Sequence, residues 1–279
     1  MSSTHVPSCR GRDINRAPSA PKLRSVLTTL LVNADRVVPV PSLMRELWND
    51  TPPSSGPTTL QTYILALRRL LSKVTGMSTA VVSREVLVTR AGGYQLRTDG
   101  ATLDVHRYQS LLAAGRTALI NGDDEQGVSL LAEALAQWRG PALVDVPIGP
   151  VLESKRRQLE VSRQVMLEYL VDAQLRLGSY GEVLTELAAL TAEFPHQEGM
   201  HAQYMRALYL SGRRSEALEA FQRLRGGLVR ELGLEPGPLV QQLHRAMLDN
   251  RADVVAQLPT QRPRGEIVGS SAWGGDRDY

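Results

Sequence analysis

The stretch PTTLQTYILALRRLLSK, residues 57–73, decides how this chain is read. Leu60, Ile64, Leu67 and Leu71 recur at spacings of 4, 3 and 4, the period of one apolar helical stripe. A helix from about Thr58 to Lys73 follows, and Pro57 suits its first turn, where a missing N–H costs nothing. Opposite the stripe lie Thr58, Gln61, Thr62, Leu65, Ala66, Arg68, Arg69 and Lys73. That face is short or uncharged at its N-terminal end and cationic at its C-terminal end. An α-helix fits the major groove of DNA, where Gln and Arg make bidentate contacts to base edges and Thr meets a thymine methyl. Arg and Lys at the far end could meet phosphates instead. A solvated amphipathic face gives the same pattern, so the surroundings decide.

Upstream, Leu23, Val26, Leu27, Leu30 and Leu31 mark an amphipathic helix over Lys22 to Ala34. A β-branched run, Val37-Val38-Pro39-Val40, comes next. Pro41-Ser42 opens a second helix with Leu43, Met44, Leu47 and Trp48 on its apolar side. Asp50 to Pro57 is a loop by composition. Downstream, Val86 to Arg90, Ala91-Gly92-Gly93 and Tyr94 to Arg97 read as a hairpin with a glycine turn, near Arg84, Arg90 and Arg97. Three helices followed by a basic hairpin is the order of a winged helix-turn-helix, which points the third helix at DNA.

Beyond Asp104 the chain reads as helical to about Asn250, with helices near 104–120, 124–138, 151–177, 180–193, 197–211, 214–231 and 237–249. A 34-residue repeat aligns Gly178 with Gly212, Val183 with Ala217, Leu187 with Phe221 and Leu190 with Leu224. That period belongs to tetratricopeptide helix pairs, although two similar antiparallel pairs would give it too. The fold class is therefore mainly α: a winged helix-turn-helix domain over 21–99, then an all-α tetratricopeptide-like domain over 103–250. Segments 1–20 and 251–279, rich in Pro, Ser, Gly and Arg, are expected to be disordered.

Charge follows the same division. Residues 1–100 carry 13 Lys/Arg and 6 Asp/Glu, and the remaining 179 carry 19 and 23. A basic first part fits a polyanion and a mildly acidic second part does not. Several classes fall away. The five histidines show no metal spacing, and there is no Walker A loop, nucleophile elbow or dinucleotide fingerprint. No catalytic residue, metal or cofactor is expected. The single Cys9 rules out an internal disulfide. No apolar run is long enough to span a membrane, and the polar start lacks a secretory h-region. A cytoplasmic protein without membrane contact is expected.

The sequence resembles the SARP family, the antibiotic regulatory proteins of Streptomyces and related actinomycetes, over roughly residues 20–250. The resemblance rests on Pro21-Lys22-Leu23-Arg24, Glu46-Leu47-Trp48, Pro52-Pro53, Leu60-Gln61-Thr62-Tyr63-Ile64 with Leu67-Arg68-Arg69, and Gly93-Tyr94-Gln95-Leu96. It continues through Asp104-Val105-His106-Arg107-Tyr108, Ala134 to Leu143, Ser211 to Leu218 and Glu231 to Pro238. It implies an OmpR-type winged helix followed by a bacterial transcriptional activation domain. It implies an activator that binds promoter direct repeats of secondary-metabolite clusters, associates head-to-tail on DNA and recruits RNA polymerase holoenzyme. By motif position Thr58, Thr62, Tyr63, Leu65, Ala66, Arg68 and Arg69 would face DNA, and Arg90 and Gly92 would belong to the wing. Leu65 and Ala66 depart from the polar residues common there, which shifts specificity toward Gln61, Thr62 and Arg68. The loop carrying Asp50, Thr51, Ser54 and Ser55 lies where polymerase is contacted in the family. Residues 1–20 lack the small antiparallel sheet with which members usually begin. No phospho-accepting receiver domain is read, so control is expected to lie in the protein's own expression. The rivals are a tetratricopeptide-like interaction regulator with weakened DNA binding, and a repressor on the same sites.

Overall fold

The computed structural model describes residues 18–98 and 103–257. The expectations for residues 1–17 and 258–279 lie outside that range. The chain divides into two compact units, Met1–Leu103 with Gly140–Val161, and Asp104–Arg139 with Ser162–Tyr279.

In the N-terminal unit the apolar stripes become α1 (Pro21–Val32), α2 (Val40–Trp48) and α3 (Gly56–Thr75). Val26 and Leu30 from α1, Leu43 from α2, and Leu60, Ile64 and Leu67 from α3 meet in one core with Leu87, Tyr94 and Leu96. Burying a side chain of this size contributes about 1.5–3 kcal/mol, so the stripes, more than helix propensity, fix the three-helix arrangement. α3 ends where Gly76 takes φ +73°, and the Gly76 N–H donates to Ser72 O. A short α4 (Thr79–Val81), its N-terminus capped by Ser78, runs into a π-turn over Val82–Val86 that no sequence signal marked.

The hairpin strands are β2 (Leu87–Arg90) and β3 (Gly93–Leu96). The β-branched run supplies a third strand, β1 (Val37–Pro39), which pairs antiparallel with β3 to give the order β1-β3-β2. The crossing at Gly93 admits no side chain, since a Cβ there would stand 2.3 Å from Val38 O.

The sequence placed residues 140–161 in the helical domain, but their contacts assign them to the N-terminal unit. Glu46, 5% exposed on α2, explains this. Its carboxylate accepts from the N–H groups of Gly149 (2.6 Å), Val151 (2.9 Å) and Leu152 (2.9 Å), capping the start of α7 (Pro150–Arg176). An anionic cap suits a helix N-terminus, where free N–H groups and the helix dipole both favour negative charge. Ser25 Oγ donates to Pro147 O (2.7 Å) and Arg24 Nη1 to Asp145 O (3.1 Å), fixing the approach to that cap.

The second unit contains α5 (Asp104–Ile120), α6 (Asp124–Leu135), the later turns of α7, α8 (Tyr180–Glu193), α9 (Glu198–Leu210), α10 (Arg214–Leu232), α11 (Pro238–Leu248) and α12 (Ala252–Gln257). The 34-residue repeat is real in three dimensions. Gly178 and Gly212 take φ +78° and +79°, and Val183 and Ala217 are both fully buried. At each turn the glycine N–H bonds three residues back and the next N–H five back, to Leu175 and Gln174 O and to Tyr209 and Leu208 O. This left-handed helix stop satisfies carbonyls that the helix end would otherwise orphan. The same pair of bonds recurs at Gly122 (φ +83°) and at Asn250 (φ +53°).

The turn at Asn250 corrects the expected disorder from residue 251. α12 follows it, with Val255 fully buried, and completes a fourth helix pair. Arg206 on α9 donates from Nε to Val255 O (3.1 Å) and from Nη2 to Ala256 O (3.2 Å). α6 stops at Leu135, short of the expected residue 138. Trp138 instead meets Tyr108 edge-on, with ring centroids 5.5 Å apart.

Candidate nucleic-acid interface

Three helices and a three-stranded sheet leave one face of α3 uncovered. Thr58, Gln61, Thr62, Leu65, Arg69 and Lys73 are exposed along it. At 100° per residue all of them fall within about 80° of Leu65. Thr62 Oγ1 donates to Thr58 O (3.1 Å), which fixes its hydroxyl on the helix and leaves that oxygen as an acceptor. The stripe runs from uncharged to cationic, with Arg69 and Lys73 on the last turns.

The other sequence-predicted residues sit elsewhere. Tyr63 is half-buried against the three-helix core, because two residues from Gln61 is more than half a turn round the helix. Ala66 is half-buried at the edge of the stripe. Arg68 lies on the border facing the wing. Its Nε and Nη2 both donate to Leu87 O (3.0 and 2.8 Å), and Nη2 also reaches Thr89 Oγ1 (2.9 Å). The expected free base-reading arginine is therefore engaged as a clamp on the wing strand β2. Its partner is a backbone carbonyl 19 residues away, which no side-chain pattern reveals.

The wing tip is Ala91-Gly92, with Gly92 at φ +75°, a conformation that strains any other residue. Arg90 is exposed on β2 and its Nε donates to Gln95 Oε1 (2.8 Å). Gln95 in turn donates to Asp35 O (2.9 Å). This chain of bonds steadies the wing and leaves a guanidinium at its edge.

Between α2 and α3, Asp50, Thr51, Ser54 and Ser55 are exposed on a loop whose far end is fixed by buried Gly56. A Cβ at Gly56 would come 2.4 Å from the Met44 methyl. Sequence reasoning missed Glu46. A usable signal existed, an acidic residue three positions after core Leu43 on the apolar side of its helix. Among the described residues no cluster of His, Cys, Asp or Glu could hold a metal, and no helix is long and apolar enough to cross a membrane.

Known proteins match the same two-part organisation. The family described as Transcriptional regulatory protein, C terminal, matches residues 15–80, and the Bacterial transcriptional activator domain matches residues 103–248. The chain belongs to the SARP family of transcriptional regulators. Regulatory protein DnrI of Streptomyces peucetius is 45% identical over 236 residues, covering 85% of this chain and 86% of DnrI. Regulatory protein AfsR of Streptomyces griseus is 35% identical over 258 residues, 92% of this chain but 25% of AfsR. The structure of Mycobacterium tuberculosis EmbR in complex with a low-affinity phosphopeptide superposes with a TM-score of 0.76 at 32% identity, over 85% of this chain and 62% of EmbR. An OmpR-type DNA-binding unit followed by a helical activation domain is thus a property of this SARP chain. Its N-terminal match ends at residue 80, before the wing, and its helical match ends before α12.

Proposed function

We propose that this SARP regulator is a cytoplasmic, pathway-specific activator of a secondary-metabolite gene cluster, acting on direct repeats in promoters. The observation that carries the reading is the exposed stripe of α3. Gln61 and Thr62 offer hydrogen bonds to base edges, each good bidentate contact being worth about 1–3 kcal/mol of discrimination. Arg69, Lys73 and, on the wing, Arg90 beside the Gly92 turn neutralise phosphates, so that binding falls steeply with salt. Arg68 contributes by holding the wing against α3.

One recognition helix gives limited specificity. Two copies on repeats about one helical turn apart share a DNA face and multiply it. Direct repeats demand head-to-tail protomers, since a two-fold dimer would require inverted sites. The loop with Asp50, Thr51, Ser54 and Ser55 is the surface we assign to RNA polymerase holoenzyme. The relatives' names, regulatory and transcriptional regulatory proteins, support the regulatory part of this reading.

The test is gel-shift binding of the purified chain to promoters of its own gene neighbourhood, across a salt series with competitor DNA. Competitor-resistant shifts on a direct repeat, followed by increased transcription with added holoenzyme, are expected. Shifts lost equally to any competitor DNA would refute sequence reading. Specific binding that lowers transcription would make the chain a repressor.

A further inference from the structure

Leu65 is 43% exposed in the middle of the polar stripe, one turn after Gln61 and one turn before Arg69. It contributes nothing to the three-helix core, which the residues flanking it, Ile64 and Leu67, supply. Arg68, three positions on, is drawn away to Leu87 O. The stripe therefore presents an apolar knob between two hydrogen-bonding residues and two cations. In the major groove the apolar feature that distinguishes one base edge from another is the C5-methyl of thymine.

We propose that Leu65 is a specificity-determining residue that buries against a thymine C5-methyl at one position of each half-site. This rests on the DNA-reading function above and deepens it, because it names what the centre of the recognition helix selects. A leucine neither donates nor accepts, so it serves O4 of thymine and N4 of cytosine equally badly, and its preference for thymine rests on desolvating the 5-methyl. One buried carbon is worth about fourfold in binding.

The experiment uses the full chain and a footprinted operator in which each thymine is replaced singly by deoxyuridine. That replacement deletes the 5-methyl and keeps every hydrogen-bonding group. The expected result is about fourfold weaker binding at one thymine of each half-site, and about tenfold or more when both are replaced. With Leu65→Ala, binding to the unmodified operator should fall by a similar factor and the sensitivity to deoxyuridine at those positions should vanish. Leu65 is exposed, so the variant's unfolding midpoint should match the parent. Specific binding that ignores every deoxyuridine, or a sensitivity that survives in Leu65→Ala, overturns the assignment while leaving the DNA-reading function intact. Absence of competitor-resistant binding to any promoter overturns both.

Discussion

The N-terminal unit ties its irregular segments with side chains aimed at backbone atoms, whereas in the helical unit a chain of ion-paired side chains joins α6, α7 and α9. Glu46 holds three N–H groups at residues 149–152, Ser25 holds Pro147 O, and Arg68 holds Leu87 O. In the second unit Asp124 pairs with Arg176 (2.6 Å), Arg176 with Asp172, and Asp172 with Arg206 (3.1 Å). Backbone supply explains the contrast. Inside a helix the N–H and C=O groups are already paired, so side-chain pairs are the readier way to join neighbouring helices, although Gln203 Nε2 on α9 also donates to Glu168 O on α7 (2.9 Å). A loop, a helix start or an edge strand offers free backbone groups, and a charged side chain can reach them. Arg206 obeys both rules, since its remaining donors go to Val255 and Ala256 O at the end of α12, where helix carbonyls are free.

If backbone-directed bonds carry the N-terminal unit, Glu46→Ala should have the largest effect of any single change considered. It strands three buried or half-buried donors, at about 1–3 kcal/mol for each donor left without a partner. A loss of about 4 kcal/mol of stability is expected, with faster hydrogen exchange at residues 145–152. Unchanged exchange there would break the comparison, because the segment would then be held by packing alone.

The corresponding change in the helical unit should be milder. Arg206→Ala leaves Asp172 still paired with Arg176, so the buried carboxylate is not abandoned. About 3 kcal/mol is expected, at the low end for breaking a buried pair. α12 should fray first, because its terminal carbonyls lose their donor. Proteolysis near residues 252–257 before global unfolding would show it. A replacement of both Asp172 and Arg206 by apolar residues should recover part of the loss, whereas at Glu46 only a side chain that keeps an acceptor oxygen, such as Glu46→Gln, should do so.

This contrast also sets what could be read from sequence. The apolar periods placed α3 within two residues of its ends, and the Gly178 and Gly212 alignment located two helix turns that adopt the same positive φ. Those features are local or periodic. The assignment of residues 140–161 to the N-terminal unit was not legible, because Glu46 meets Gly149 N across 103 positions through backbone atoms. α12 was hidden by its flanks, since Asn250-Arg251 reads as the start of a polar tail. Only the Val254-Val255 pair hinted at a buried turn. Of the interface, the stripe from Thr58 to Lys73 was legible from helical angles alone. Arg68 was not, because its position on the wheel says nothing about a carbonyl on β2 that captures it.

Arg68 sharpens the comparison at the interface itself. As a backbone clamp, Arg68→Ala should loosen β2, raising hydrogen exchange over Leu87–Thr89. DNA binding should fall by about tenfold, the equivalent of one charge-assisted hydrogen bond. The loss should appear on specific and non-specific DNA alike, if the wing meets phosphates as proposed. Thr89→Val should reproduce a small part of it. A loss confined to the operator, with wing exchange unchanged, would restore Arg68 as a base reader and remove it from the backbone-directed set.

The smallest effect tests a buried histidine whose Nε2 has no hydrogen-bond partner. His201 is 8% exposed on α9, and burial pushes its pKa below the ordinary imidazole value, while backbone hydrogen bonding at Pro195 opposes the shift and nearby Arg223 and His196 add to it. The unfolded chain therefore takes up the proton first as pH falls through about 6.5. Stability from this group is complete above that pH and is lost on acidification toward the lowered folded value. His244, its ring stacked 3.7 Å from Phe221, is shifted the same way by burial. Glu168 and Glu186 are raised by burial and act in the opposite sense, since the folded state then binds their protons more readily. The wild-type profile mixes these contributions, so the informative quantity is a difference. Between pH 7.5 and 5.5 the fall in Tm should be smaller in His201→Gln than in the parent, by about 2 °C, the shift that corresponds to under about 1 kcal/mol in a domain of this size. Equal slopes would mean that His201 gains solvent or a partner on protonation. The helical unit would then hold a charge at that site outside the ion-pair chain of Asp124, Arg176, Asp172 and Arg206.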